Sequence, residues 1–318
     1  MDNIKKISII LDTDMDTDCD DAGALAVLNN YMRQGKVEML GVICDAPTEW
    51  GGSCIEAINK YFSHSHIPIG VVKTSDFSKE DLERFQCYYE HTNNLPSDII
   101  YNEMLGSQVG KKSCDYPSAL EVYRKLLSSS DDNSVVICCI GLLTAIEQLL
   151  KSKPDKFSRL NGYELVKRKV ASFISMASMS FPKGFETFNW RMDKIAAEYV
   201  INHCPIPICV SGFGEDVLTG STLSLKLTAN NPLRKAYEKY LGGPCRNRPS
   251  WDQIALLYAM QQDKNLFYEE IGLTVKYDGT DNSCTWVDDG NGRKDNYIKL
   301  KVSNEEIAEY IENIMNLT

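Results

Sequence analysis

Residues 7–28 read ISIILDTDMDTDCDDAGALAVL, and the architecture of the chain turns on how this stretch changes character midway. Ile7 to Leu11 form a short apolar run of the kind that makes a buried strand. A helical spacing of Ala22, Leu25, Ala26, Val27 and Leu28 begins only after six aspartates have passed. A strand therefore empties into an acidic loop that feeds a helix. Asp12, Asp14, Asp16, Asp18, Asp20 and Asp21 fall within ten positions, and such a cluster repels itself and pushes carboxyls toward the protonated form. A hard cation resolves the repulsion. Calcium accepts about 6 to 8 oxygen ligands, whereas thiolate or imidazole sites draw on other residue types. Aspartate directly after a buried strand serves no packing purpose.

Two other metal-loop patterns fail on spacing or fit poorly. An EF-hand loop counted from Asp12 needs glycine sixth and glutamate twelfth, and those positions hold Thr17 and Gly23. A haloacid-dehalogenase-type phosphatase has D-x-D-x-T/V after a strand, but here the fifth position is Asp16. That magnesium-dependent chemistry stays an outside alternative.

The pattern continues along the chain. VEMLGVICD (37–45) is a second apolar run ending in an acid, a helix is predicted over 53–62, and IPIGVV (67–72) reads as a third strand. This βαβαβ opening predicts a parallel sheet with right-handed crossovers and a site at the carboxyl ends of its strands. Residues 73–115 are polar and aromatic and carry no clear period. Pro117 is expected in the first turn of a helix ending near Leu127. SVVICCIGLLTAIEQLL (134–150) gives strand, glycine turn and helix. Residues 169–179 read as a strand, followed by an irregular segment to Asn189, a helix from about Asp193 to His203 and a strand at 207–212. Residues 273–300 alternate around the turn-prone YDGTDN and DDGNGR, which predicts a C-terminal antiparallel hairpin joined to the sheet. Ser303 and Glu306 form a capping-box pattern for a last helix. The fold class is α/β, an open, mostly parallel mixed sheet flanked by helices, in one domain over 1–318.

With 318 residues, 43% hydrophobic, the chain can bury a large core, and no linker or repeat divides it. A net charge of −10 argues against a nucleic-acid partner. Eleven cysteines fit a reducing compartment, because Lys5 and Lys6 precede only a five-residue apolar run rather than a secretory leader. Cys138 and Cys139 read as core. No run approaches the ~18 apolar residues of a membrane span, and the expected location is cytoplasmic.

The opening stretch resembles the nucleoside hydrolase family, whose signature is an apolar strand, DTD, a loop, and DDA opening a helix. DTD stands here at Asp12 to Asp14 and DDAGAL at Asp20 to Leu25. The loop is two residues longer than the common DTDPGxDDA and is similar to a bacterial branch with DTDM...D.DDA. Three further stretches extend the resemblance. Ile140-Gly141-Leu142-Leu143-Thr144 is similar to the family's x-G-P-L-T-N. Thr187-Phe188-Asn189 with Asp193 and Ala196-Ala197 looks like E-F-N...D-P-E-A-A. RPSWDQIALLYA (248–259) matches the segment that carries the last calcium ligand.

The resemblance implies a calcium-dependent N-ribohydrolase with Asp14, Asp21, Asp252 and the Ile140 carbonyl as calcium ligands. Asp14 would also take a proton from the attacking water, Asp20 would bind the ribose 2'-hydroxyl, and Asn189 would bind the ribose. Thr187 and Phe181 stand where the family has a glutamate and an asparagine for the sugar's outer hydroxyls, and Glu186 is placed to substitute. Asp45, the acid ending the second strand at the same sheet edge, joins the substrate-binding candidates. Trp251 stands where one branch has a histidine acid and a purine-preferring branch has tryptophan; it is expected to stack on the base, with Trp50 as a second face, and to favour purine over pyrimidine ribosides. Of the four histidines, His64, His66 and His203 read as surface or loop residues, and His91 could reach a site. Asp18 fits the longer loop, whereas Asp16 has the D-x-x-x-D-D spacing of the shorter one, so their roles stay open. The expected partner is a small nucleoside, and a dimer or tetramer is implied by resemblance. The alternative from another class is a non-catalytic, calcium-dependent riboside-binding protein.

Overall fold

The computed structural model describes residues 6–16, 18–177, 180–260, 265–290 and 292–317. Its strands are β1 Ile7–Thr13, β2 Val37–Cys44, β3 Ile69–Val71, β4 Val135–Cys139, β5 Val170–Met176, β6 Lys183–Phe185, β7 Ile208–Ser211, β8 Leu218–Thr219, β9 Arg248–Pro249, β10 Phe267–Asp278, β11 Ser283–Val287 and β12 Asp295–Leu300. Ten of them form one sheet in the order β3-β2-β1-β4-β5-β7-β12-β10-β11-β6. From β3 to β12 every neighbouring pair is parallel. From β12 to β6 every pair is antiparallel. The sheet is therefore mixed and mostly parallel, as the alternation of strand and helix patterns requires. β8 and β9 form a separate antiparallel ribbon.

β1 and β4 are apolar on both faces because both faces are covered. Ile9 and Leu11 point into one core layer and Ile10 into the other. The first layer is closed by the helices Asp20–Arg33, Gly51–Tyr61, Trp251–Met260 and Asn304–Met315, and the second by Ala119–Ser129, Thr144–Lys151, Gly162–Lys169 and Lys194–His203. Chain order reverses at β1, which lies between β2 and β4. The loops leaving β1 and β4 part there, and that is where an open α/β sheet has its crevice.

Several boundaries differ from the sequence reading for local reasons. Pro117 lies outside the helix: Ser118 is the N-cap, its hydroxyl accepting from the Glu121 N–H at 3.2 Å, and the helix begins at Ala119. The strand expected over 169–179 ends at Met176, and Ser178 and Met179 lie outside the described residues. The segment expected to be irregular up to Asn189 contains β6, which pairs with β11 at the sheet edge. The predicted hairpin is a three-strand unit, because β10 is long enough to pair with β11 on one side and β12 on the other. Residues 73–115 contain the short helices Gln86–Asn93 and Tyr101–Gly106. All eleven cysteines are free, and among the described residues no helix is long and apolar enough to cross a membrane.

Candidate active site

Parallel register places the ends of β1, β2 and β4 side by side, with Asp12 opposite Ile43 on one flank and Cys139 on the other. Asp14 follows β1, Ile140 follows β4, and Asp20 and Asp21 open the helix Asp20–Arg33. Asp252 is the second residue of the helix Trp251–Met260. An acid in a first helical turn is favoured by the helix dipole in any case. What is specific is that these ends meet. A cavity of about 210 Å³ is lined by Asp14, Asp18, Asp20, Asp21, Ile140, Met176, Thr187, Phe188, Asn189, Arg248, Trp251 and Asp252.

Backbone and side-chain ties lock these stretches together. The Ile140 N–H donates to the Asp12 carbonyl at 2.7 Å. Asn189 Nδ2 donates to the Ile140 carbonyl at 2.7 Å, and the Thr144 hydroxyl donates to Asp193 at 2.7 Å. Asp193 also accepts from Arg84 at 2.8 Å and caps the helix Lys194–His203 through the Ala196 N–H. Arg248 on β9 bridges Asp18 at 2.7 Å and Asp20 at 3.0 Å. Each motif that the sequence shows separately is thus bonded to another.

Burial pushes the Asp14, Asp21 and Asp252 carboxyls well above the usual range, and their mutual repulsion adds to it. Burial also raises Asp20, to about 6, against the pull of Arg248. A site of buried, mutually repelling carboxylates next to an accessible cavity lacks positive charge.

No protein-family model matches the chain, and no curated protein matches its sequence. Solved structures do match. A plant nucleoside hydrolase superposes with a TM-score of 0.66 at 14% identity, covering 98% of this chain and 99% of that one. The inosine-uridine preferring nucleoside hydrolase from Bacillus anthracis gives 0.64 at 17%, covering 98% and 99%. The type III effector protein XopQ, complexed with adenosine diphosphate ribose, gives 0.66 at 11%, covering 98% and 93%. The chain has a nucleoside hydrolase-like fold.

Within that nucleoside hydrolase-like frame, the predicted residues divide into those that reach the cavity and those that do not. Asp14, Asp20, Asp21, Ile140, Asn189, Trp251 and Asp252 line it. Asp45 does not: it lies beneath the Gly141 turn, buried, with a carboxyl oxygen within 4.8 Å of one on Asp12, and Asp12 accepts from the Tyr123 hydroxyl. Both positions follow from the parallel register, which sets the end of β2 beside that of β1. Burial raises Asp12 to about 7 and Asp45 well above its usual range. Two buried carboxyls in contact hold a proton between them. Glu186 also lies outside the cavity lining. Its carboxylate accepts from the Phe188 N–H at 3.1 Å and the Arg191 N–H at 2.9 Å, holding the turn that presents Asn189. Trp50 does not line the cavity either; it precedes the helix Gly51–Tyr61, and Lys112 sits over its ring at 5.3 Å.

The two extra loop acids now have places. Asp16 turns away from the cavity and accepts from the Tyr88 hydroxyl and from Asn102 Nδ2 at 2.9 Å, both supplied by the segment 73–115. Asp14, not Asp16, is therefore the acid presented to the cavity. Asp18 lines it and pairs with Arg248. Phe181 stacks on Tyr297 at 5.0 Å, away from the cavity, whereas Thr187 lines it. His91 packs edge-on against Phe188 at 5.0 Å and is not among the lining residues. His64 faces Asn29 at 2.7 Å, and His203 stacks on Tyr199 at 4.3 Å. Sequence reasoning gave Arg248 no role. It stands in a quoted motif, but only the folded ribbon β8–β9 shows which acids it meets.

The donor set of Asp14, Asp21, Asp252 and the Ile140 carbonyl consists wholly of oxygen, which suits calcium. Among the described residues a different set, Asp12, Asp45 and Cys139, brings its ligand atoms within 4.8 Å of one another. That set could hold a metal by distance, but a sulfur donor suits softer ions. The Cys139 thiol, which burial keeps protonated, donates to the Leu142 carbonyl at 3.1 Å and also faces the Asp45 carboxylate at 3.7 Å. The Asp14, Asp21, Asp252 and Ile140 oxygens border the open cavity, whereas Asp12, Asp45 and Cys139 are sealed beneath it.

Proposed function

We propose that this protein is a calcium-dependent N-ribohydrolase, cleaving the bond between a heterocyclic base and ribose. The observation that carries the reading is the convergence of Asp14, Asp20, Asp21, Ile140, Asn189 and Asp252 from four separate stretches on one cavity. Asp14, Asp21, Asp252 and the Ile140 carbonyl would hold calcium. A bound calcium ion supplies the positive charge that makes water acidic and holds a vicinal diol. Asp14 accepts the proton of the attacking water, and Asp20, its other oxygen fixed by Arg248, accepts from a ribose hydroxyl. Carboxylates around the ring stabilise oxocarbenium-like charge at C1'. Asn189 is positioned at the sugar by its bond to the Ile140 carbonyl, and Trp251 offers an aromatic face to the base. The phosphatase alternative has little support: Asp12, the first acid of its motif, is sealed beneath the cavity, and Asp16 faces Tyr88.

The test is a panel of nucleosides incubated with and without a chelator, with free base separated by chromatography. Base release dependent on calcium and lost in Asp14→Ala and Asp21→Ala is the expected result, and release indifferent to both substitutions sinks the reading. A second reading, calcium-dependent riboside binding without turnover, is favoured by one observation. Asp20 and Asn189 both already hold protein partners. The effector complexed with adenosine diphosphate ribose has the same fold. Tight binding by calorimetry with no turnover over days would establish it; turnover abolished by Asp14→Asn would reject it.

A further inference from the structure

The charge and chemistry of the cavity wall select among N-ribosides. Five carboxylates line it, from Asp14, Asp18, Asp20, Asp21 and Asp252, against one guanidinium, from Arg248. Arg248 is already committed to Asp18 and Asp20. A bound dication and Arg248 together offset three of the five charges, so the loaded cavity still carries an excess of negative charge. In a site partly closed to water this disfavours a phosphorylated riboside and favours a cation.

The second observation concerns the leaving group. Hydrolysis of a neutral nucleoside leaves an electron pair on the base nitrogen, and departure is accelerated when a positioned acid meets it with a proton. Among the described lining residues none is placed to do so. Asp14, Asp21 and Asp252 belong to the cation, and Asp18 and Asp20 are paired with Arg248. Thr187, Asn189 and the Trp251 indole are not acids at neutral pH. His91 lies against Phe188 and outside the lining, and burial lowers its pKa. The remaining wall, Trp251, Phe188 and Met176, is apolar and polarisable. An indole face attracts a flat cation more strongly than any other side chain.

We propose that the substrate of this site is an N-riboside whose base carries a fixed positive charge, such as a ribosyl pyridinium or an N7-alkylated purine riboside. The inference rests on the hydrolase reading above. Cleavage then balances without a general acid. The water oxygen bonds to C1', the C1'–N pair stays on the nitrogen and cancels the positive charge, and the base leaves neutral. The water proton passes to Asp14 and then to solvent. One proton is released per turnover, whereas hydrolysis of a neutral nucleoside to neutral base and ribose releases none.

The experiment compares the ribosides of 3-carbamoylpyridinium and 7-methylguanine with uridine, inosine and a 5'-phosphorylated nucleoside on the intact, calcium-loaded protein. It follows base by chromatography and protons by pH-stat. A kcat/KM at least 100-fold higher for the cationic ribosides, with one proton released per base from the pyridinium riboside, is expected. Inosine or uridine cleaved within tenfold of the cationic ribosides overturns the substrate assignment and leaves the hydrolase reading standing. Release of base from no riboside overturns both. A binding measurement separates charge recognition from turnover. In calorimetry on the calcium-loaded protein, a carbocyclic pyridinium riboside that cannot be hydrolysed should bind more tightly than carbocyclic uridine, with an affinity that falls as salt rises, and equal salt-insensitive affinities would overturn the proposal. Trp251→Leu should weaken binding of the pyridinium riboside by roughly 2- to 30-fold with a smaller effect on uridine. An equal loss on both would exclude Trp251 as the face that meets the cation and overturn the stacking part of the assignment.

Discussion

Replacing Asp45 by asparagine tests the buried acid pair beneath the cavity, and its consequence can be worked from the structure. Asp12 and Asp45 are fully buried with carboxyl oxygens within 4.8 Å of each other, and burial raises both pKa values above the ordinary 3.8, that of Asp12 to about 7. An unfolded chain releases both protons once the pH passes about 4. The native state holds both protons to higher pH than the unfolded chain does, that of Asp12 to about pH 7. Because the folded form binds more protons, these groups contribute most at low pH, and that contribution is lost as pH rises. Each proton held only by the native state corresponds to about 1.4 kcal/mol per pH unit. In Asp45→Asn the new side-chain amide would donate an N–H to Asp12 permanently and remove one of the two protons from the balance. The parent should therefore lose stability with rising pH more steeply than Asp45→Asn, by about 1.4 kcal/mol per unit over the range in which only the native state holds the Asp45 proton. Urea denaturation of both proteins in chelator at half-unit steps measures it. Subtracting the two curves removes the titration of Asp14, Asp21 and Asp252, which both proteins share. Parallel curves would refute the shared proton. A parent stability that rises on adding zinc, and does not rise in Asp45→Asn, would instead assign Asp12, Asp45 and Cys139 to a metal.

Other outcomes follow from the same geometry. A Cβ on Gly141 would come within 2.5 Å of the Asp14 N–H nitrogen and 2.6 Å of the Asp45 carboxylate, so Gly141→Ala should cost about 1–3 kcal/mol in denaturation and on the order of 100-fold in kcat/KM by displacing Asp14; a fully active, fully stable variant would contradict this packing. Arg248→Met removes the guanidinium that opposes protonation of Asp20, whose pKa stands at about 6 with it present. The acid limb of the pH–rate profile should therefore move upward by about 1–3 units, and an unmoved limb would detach Asp20 from substrate binding. Calcium must displace protons from Asp14, Asp21 and Asp252, which burial holds well above their usual values. Calorimetry at pH 6–7 in two buffers of different ionisation enthalpy should show proton release, and affinity should weaken as pH falls. At 100 times Kd the ion should stabilise the fold by about 2.7 kcal/mol, and identical heats in both buffers would mean the ligands are already ionised.

Local pattern along the chain was enough to read the layer architecture and most of the cavity. Apolar runs such as Ile7–Leu11 and Val135–Cys139 alternate with helical spacing, and runs buried on both faces read as parallel strands. The acids at Asp14, Asp20 and Asp21 are local to one loop, and the Ile140 and Asp252 stretches carry recognisable order. Which acids share a space became visible only in the folded chain. The parallel register of β1 with β2 carries Asp45 under the Gly141 turn and onto Asp12, away from the cavity. Tyr88 and Asn102, from a segment with no readable period, draw Asp16 outward and leave Asp14 facing in. Arg248 reaches Asp18 and Asp20 from some 230 positions away. Periodicity and turn chemistry act over a few residues and leave their mark on the chain locally. Burial, repulsion and pairing of charge act through space, and they take effect only once distant segments have been brought together.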